Sequence, residues 1–589
     1  MTQLPECLLR ASVIACGGHA LVIGGPGSGK TTVALRKALA RIRADLRPGQ
    51  SVLFLSFSRA AVTRVLDAAK VEVPKAELDL LSVQTFHSFF WTLLKTYGYL
   101  LGTPKALNIL LPQDERALSG GVNVDAPEWQ DWLVERDRLF REEGRVAFDL
   151  FAPNAAALLE RSVYLPKLVA ERHPLIIVDE AQDTGDNAWR CIEILARRAQ
   201  VVCLADLEQQ IFDFLPGVGP ERVAAIRAAL TPLEVDLGND NHRSPDTEIL
   251  AFGNDILSSR PRGAPYKGVS VMGYRVRKGV VLNWNHLLRR AMGELHRAVR
   301  AQTGSYAKTI AILTHSKGNA LRVSNALNAV GANSGKPVRH KLLFDEAESL
   351  LTARFAAFLL EPKRAEDLES DVATSMELLS AAKRATGSGK AAVDKLLEQA
   401  GKIRAGKALT VNIAKALRAL LTAIREDGFT GDAAVDWLSI KRKLRESPQE
   451  ELKRAASQLD YLVAFQRGHR IAAGLSNEWL RDGAYTRARA ALDAALAQEQ
   501  ILDGMESPLG VQVMNVHKAK GKQFDGVILV RDARRTANGA ESSFVWRGDE
   551  APFSKSRRLL RVGVTRARHQ LLILSPAWPD CPLLAGHRL

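Results

Sequence analysis

Short apolar runs of strand length recur along the chain at 20–24 (ALVIG), 52–55 (VLFL), 175–178 (LIIV), 201–204 (VVCL), 309–313 (TIAIL), 511–514 (VQVM), 527–530 (VILV) and 571–574 (LLIL). Strands covered by helices on both faces read as unbroken apolar runs, and these runs alternate with segments of helical spacing. The pattern predicts an α/β fold with parallel sheets at both ends of the chain. Two stretches break it. Residues 88–172 read as mostly helical, with Trp91, Trp129 and Trp132 set among charges, and 363–507 is rich in alanine, leucine, lysine and arginine at helical spacing. Both read as insertions into α/β cores. Inside the second, ATGSGKAA (385–392) reads as a turn between helices; its GSGK lacks a preceding strand and is taken as a linker.

At 589 residues the chain exceeds the size at which a single core stops growing, so several domains are expected. Its 46% hydrophobic and 25% charged residues exclude a predominantly disordered state. Lysine and arginine outnumber aspartate and glutamate by 81 to 65, a net charge of +16 that suits a polyanionic partner such as nucleic acid, a solvated basic surface being the alternative. The cysteines at 7, 16, 191, 203 and 581 form no CxxC pair and are odd in number, which argues against a zinc ribbon or disulfide framework and fits the cytosol. VIAC (13–16) echoes a lipoprotein cleavage site, but the apolar stretch before it is short, holds Arg10 and lacks a basic start. No run approaches the roughly 18 apolar residues of a membrane helix. A soluble, cytoplasmic protein without membrane contact is expected.

The chemistry is concentrated at the ends of two of the apolar runs. GGPGSGKT (24–31) satisfies G-x-x-x-x-G-K-[ST] between the strand ALVI and a helical run. Around Gly25, Gly27, Ser28 and Gly29 the backbone amides can turn inward on a phosphate. Lys30 can neutralise β- and γ-oxygens, and Thr31 can ligate magnesium. The second site is LIIVDEAQD (175–183), on a strand able to lie beside the first. Asp179 would complete the magnesium site, and alternation along the strand would send Glu180 to the other side, as the base for an attacking water. Asp183 suits either a helix amino terminus or a catalytic role.

With these two sites stand FSRAA (57–61), VQTFHSF (83–89), ADLEQQIFDF (205–214), LGNDNHRS (237–244), MNVHKAKGKQF (514–524) and RLLRVGVTRAR (558–568). In this order the set resembles the UvrD/Rep-like helicases of superfamily 1 along nearly the whole chain. The resemblance implies two RecA-like motor domains, 1–87 with 173–235 and 236–362 with 508–589, interrupted by helical insertions at 88–172 and 363–507. It makes Gln209 the γ-phosphate sensor, and Arg243 and Arg566 the arginines offered from the second motor domain; such residues are worth roughly 10³ to 10⁵ in rate. It places Phe57, Phe86, His87, Phe212, Phe214 and His517 on single-stranded DNA, where aromatic faces stack on bases. Core packing is the competing fate of these phenylalanines. Around the nucleobase the chain departs from the family: Leu9 and apolar or basic neighbours stand about sixteen residues before the phosphate loop where the family carries a glutamine, Thr32 replaces arginine, His242 tyrosine and Gln523 an acid, and Leu215 replaces an arginine nearer the DNA.

The resemblance therefore implies an ATP- and Mg²⁺-dependent 3′ to 5′ helicase or translocase on single-stranded DNA and single/double-strand junctions, in repair, recombination or phage defence. A DNA-stimulated switch or scaffold subunit that recruits a nuclease is the alternative. About twenty residues follow VGVTRAR, so any cutting is expected from a partner. An RNA-directed motor is a third reading.

Overall fold

Each apolar run forms a strand, because a fully covered parallel strand can bury both faces. The computed structural model describes residues 8–588 except 58, 121, 123–125, 207–219, 239–244, 276–281, 330–335, 344–346, 386–389, 409, 460–469, 503–508 and 537–538. The chain divides into two compact units, one of Met1–Phe90, Ala152–Phe344 and Gly504–Leu589, the other of Trp91–Phe151 and Asp345–Asp503.

The first unit contains two lobes, each built on a six-stranded sheet. In the first lobe the order is Leu81–Thr85, Val52–Ser56, Leu175–Val178, Gln200–Ala205, Ala20–Ile23, Leu233–Asp236, with every pairing parallel. The strand that leads into the phosphate loop and the strand that leads into the acids are therefore not neighbours. Gln200–Ala205 lies between them, with Ala20 opposite Val202 and Leu175 opposite Gln200. The crossover from Ala20–Ile23 to Val52–Ser56 leaves two places, which the later strands fill. All carboxyl ends still lie along one edge, where open α/β sheets bind their ligands.

The second lobe has the order His340–Leu342, Gly510–Asn515, Thr309–Thr314, Phe524–Val530, Ala567–Pro576, Val269–Tyr274, again parallel throughout. A short antiparallel hairpin, Ala533–Thr536 with Gly539–Ser542, follows the fourth of these strands. Helix Trp284–Thr303 lies so close to the sheet that a Cβ on Gly526 would collide with Leu295 Cδ2.

The second unit joins the two insertions. Its described residues are helical apart from a two-stranded parallel pairing of Asn108–Leu110 with Arg145–Ala147. Leu111 from the first insertion is buried in the same core as Phe355, Met376, Leu417, Trp437 and Leu475 from the second. Arg354 donates to both Asp114 (Nη2 to Oδ2, 2.9 Å) and Asp493 (Nη2 to Oδ1, 2.8 Å), tying the insertions together by charge as well. Helix Tyr164–Arg172 and most of helix Phe151–Arg161, which composition groups with the first insertion, belong to the lobed unit. The GSGK linker falls almost wholly outside the described residues, between helices Leu368–Arg384 and Lys390–Arg404.

No described helix is long and apolar enough to cross a membrane. Replacing Gly526 by alanine forces Leu295 out of its rotamer, and overpacking of this kind costs typically about 1–3 kcal/mol. Gly526→Ala should lower the chemical-denaturation midpoint, and adding Leu295→Ala should recover part of the loss.

Candidate active site

The phosphate loop is shaped by glycines at the positions where only glycine is unstrained. Gly27 and Gly29 have φ of 88° and 90°, the left-handed region that a side chain disfavours. A Cβ on Gly24 would lie 2.5 Å from Ser28 Oγ. Gly29 caps helix Lys30–Asp45, so the helix amino end faces the loop. Gly25 N–H donates to Gly238 O at 2.9 Å, and the buried Arg10 supports the loop through Ser28 O at 3.3 Å. Ser28 itself is buried, and its Oγ has no hydrogen-bond partner among the described residues. Lys30 folds back on the loop, donating to Gly24 O at 2.5 Å and Gly25 O at 3.0 Å, with Asp206 Oδ2 3.9 Å away. Thr31 and Thr32 follow in the first helical turn, half-buried.

Asp179 stands just beyond the strand Leu175–Val178, its N–H bound to Leu55 O at 2.8 Å. Its carboxylate accepts from Ser56 Oγ at 3.3 Å and faces Arg64 Nη2 at 3.7 Å. Burial and the neighbouring Glu180 push its proton affinity up, against the pull of Arg64 and Lys30. Glu180 is not aimed by strand alternation, as the sequence suggests, because the strand has already ended. It sits in a left-handed turn, φ 53° and ψ 42°, a conformation that costs a β-carbon residue about 1–2 kcal/mol. Gln182 holds it there, donating from Nε2 to Glu180 Oε2 at 2.7 Å while Gln182 Oε1 accepts the Asp206 N–H at 3.0 Å. Burial would raise the Glu180 pKa, but Lys520, Lys30 and Arg64 together hold it at about 2, so the carboxylate is ionised.

Asp183 is neither a helix amino-terminal acid nor exposed. It ends the short turn Ala181–Asp183, and the following helix takes Asp186 in its first turn instead. The Asp183 side chain is fully buried and forms an ion pair with Lys520, which the second lobe supplies from 337 residues further along the chain. Arg566, also from the second lobe, is 1% exposed. Its Nε donates to Val562 O at 2.9 Å and its Nη2 to Thr565 Oγ1 at 3.1 Å. Burial lowers its pKa to about 10, further lowered by Arg64 and raised by Glu180 and Asp206, so the guanidinium stays charged within electrostatic reach of the first lobe's acids.

The structure thus brings together Lys30, Asp179, Glu180 and Arg566, and adds Arg64, Gln182, Asp206 and Lys520, to which the sequence alone assigns no role. Gln182, Lys520 and Asp206 lie inside the quoted blocks, so a signal exists; for Arg64 only the fold supplies it. Gln209, Phe212, Phe214, His242 and Arg243 lie outside the described residues. Gln523 Oε1 accepts from Arg568 Nη2 at 3.2 Å. Phe86 opens helix Phe86–Tyr97 but is 5% exposed and packs against Phe90, ring centroids 5.8 Å apart, so its face is turned to the interior. Phe57 is half-buried and His87 exposed. His517 lies edge-on to Trp546 at 5.4 Å.

The donor set fits magnesium. Asp179 and Thr31 offer hard oxygens, and no group of three or more His, Cys, Asp or Glu that could hold a metal occurs among the described residues. Mg²⁺ draws most of its shell from phosphate and water, so one carboxylate and one hydroxyl suffice.

The sequence matches the UvrD/REP helicase N-terminal domain over residues 9–121 and 122–218, and the UvrD-like helicase C-terminal domain over 480–576. These matches cover more than half of the chain, and the chain belongs to the UvrD/Rep helicase family. It is 23% identical to the ATP-dependent DNA helicase Rep of Escherichia coli (strain K12) over 333 residues, 49% of either chain. It is 21% identical to the putative ATP-dependent DNA helicase YjcD of Bacillus subtilis (strain 168), over 95% of this chain and 77% of that one. A 139-residue segment, 22% of this chain, is 27% identical to 12% of the exonuclease/helicase subunit RexA of Lactococcus lactis subsp. cremoris (strain MG1363). The matched region spans about half the length of the Rep helicases.

Breaking one partner of a buried ion pair costs about 3–5 kcal/mol, because the other charge is stranded. Lys520→Met should therefore lower the unfolding midpoint sharply, whereas Lys520→Met combined with Asp183→Asn should recover much of it. Equal destabilisation of the single and double variants would show that the pair does not act as one.

Proposed function

We propose that this chain is an ATP-driven DNA helicase or translocase that moves 3′ to 5′ along single-stranded DNA. The observation that carries the reading is Arg566, a buried cation of the second lobe held within the field of Glu180 and Asp206 of the first. A P-loop alone binds nucleotide, but a guanidinium brought from a second lobe makes hydrolysis depend on how the lobes meet.

In this reading Lys30 leaves the loop carbonyls of Gly24 and Gly25 for the β- and γ-phosphates. Asp179 and Thr31 hold Mg²⁺, which offsets charge on the phosphate oxygens. Glu180, ionised and fixed by Gln182, orients the attacking water and accepts its proton. Lys520 and Arg64 keep that carboxylate from capturing a proton beforehand, and phosphates arriving beside the same cations draw part of their field away, raising the basicity of Glu180 when substrate is in place. Arg243 joins Arg566 on the γ-phosphate, and Gln209 senses it. His87 and His517, with Phe57, Phe212 and Phe214, line the single strand, and Phe86, turned inward, braces the helix that carries His87. Thr32, His242 and Gln523 surround the base and ribose, so discrimination between ATP and GTP is weaker than the phosphate chemistry.

A second reading, a DNA-stimulated switch that recruits a nuclease in repair, recombination or phage defence, draws on the segment similar to the exonuclease/helicase subunit of Lactococcus lactis. Strand displacement separates the two. Wild type should unwind duplexes with a 3′ tail and not those with a 5′ tail, and its ATPase should rise with single-stranded DNA. Lys30→Ala and Glu180→Gln should each lose about 10²-fold or more in turnover. DNA-stimulated hydrolysis without displacement of either duplex would favour the switch.

A further inference from the structure

Three adjacent strands of the second lobe end flush, with Thr314 opposite both Asn515 and Val530. The loops that leave these ends meet in one aromatic cluster. His315 follows the first strand directly, His517 lies two residues beyond the second, and Trp546 lies on the loop after the hairpin that continues the third. The indole of Trp546 stands 5.4 Å from His517 at 72° and 5.1 Å from His315 at 60°.

The indole is nonetheless 41% exposed, although the residues before it, Phe544 and Val545, are buried in the lobe's core at 5% and 7%. Its backbone is pinned: the Trp546 N–H donates to Ser556 Oγ at 2.9 Å, and the Ser556 N–H donates to Asp549 Oδ2 at 2.8 Å. The chain thus presents a large aromatic face to solvent on a braced loop, at the sheet edge where this architecture takes its ligands. Loss of side-chain freedom on binding is small for a ring already fixed by two others.

The ligand must be flat and π-rich, because the cluster offers ring faces rather than ionic contacts. Burial drives the His315 pKa down to about 4 and lowers that of His517, so both imidazoles are neutral rings at pH 7. Arg534, whose charge reaches His315, is engaged with Glu541 at 2.9 Å. In a chain of net charge +16, the flat ligand that long-range attraction delivers is the base of a polyanionic strand.

We propose that Trp546, backed by His517 and His315, is a base-stacking platform for single-stranded DNA on the second lobe. The inference rests on the helicase reading and assigns to it a contact that no family motif supplied. Stacking is indifferent to base identity and contributes little to counterion release, so it shows in affinity and not in salt dependence.

The test is equilibrium binding of a fluorescein-labelled oligo(dT) to wild type, Trp546→Ala and Trp546→Phe across a salt series. It is paired with photocrosslinking of an oligomer carrying one 5-iododeoxyuridine. Trp546→Ala should bind about 5- to 100-fold more weakly with the salt slope unchanged, Trp546→Phe should retain most of the affinity, and the crosslink should map to Trp546. Wild type and Trp546→Ala binding alike, or a loss accompanied by a changed slope, overturns this platform alone. Failure of wild type to bind the oligomer overturns the helicase reading as well.

Discussion

Lys520 reaches a space closed to water and meets Asp183 there, and the acids of the first lobe are organised around that contact. A carboxylate and an ammonium buried apart would each be prohibitively costly, and together they are tolerable. Around them Lys30, Arg64 and Arg566 face Asp179, Glu180 and Asp206, so positive and negative groups are matched before any nucleotide arrives. A triphosphate with its cation upsets this match. Lys30, at present held by loop carbonyls, and Arg566, held by Val562 O and Thr565 Oγ1, have neutral partners to give up. Because two of the cations belong to one lobe and the remainder to the other, re-pairing them alters the attraction between lobes. That is the physical content of coupling between a hydrolysis site and a moving grip.

How much of this is readable in the sequence follows from burial. The eight apolar runs are the eight interior strands of the two sheets. The strands without such a run, Leu81–Thr85, Leu233–Asp236, Val269–Tyr274 and His340–Leu342, are the four edges, where one side meets solvent and the pattern becomes mixed. The phosphate loop and the acids are legible because their geometry is local: glycines at left-handed positions and carboxylates at a strand end. The Glu180 turn is not, since nothing in VDEAQ marks the end of the strand at Val178. Nor is the Lys520–Asp183 pair, whose members are 337 positions apart and carry no pattern linking them. Phe86 shows the remaining ambiguity, because a phenylalanine opening a helix looks the same in sequence whether its face turns inward or outward.

The unit formed by the insertions has a different kind of ordering constraint. Leu111 and Asp114 come from one segment, whereas Arg354, Asp493 and most of the shared core come from another, with much of the lobed unit encoded between them. During synthesis the earlier segment emerges long before its packing partners exist. It must wait, with Ile109 and Leu111 unsheltered, until the ribosome has delivered helix Ala347–Leu360. Contacts so distant in sequence are made late and slowly. A truncated or stalled chain would thus expose a sticky remnant of the first insertion even where the earliest strands had already paired, which makes incomplete copies of this protein good substrates for chaperones and proteases.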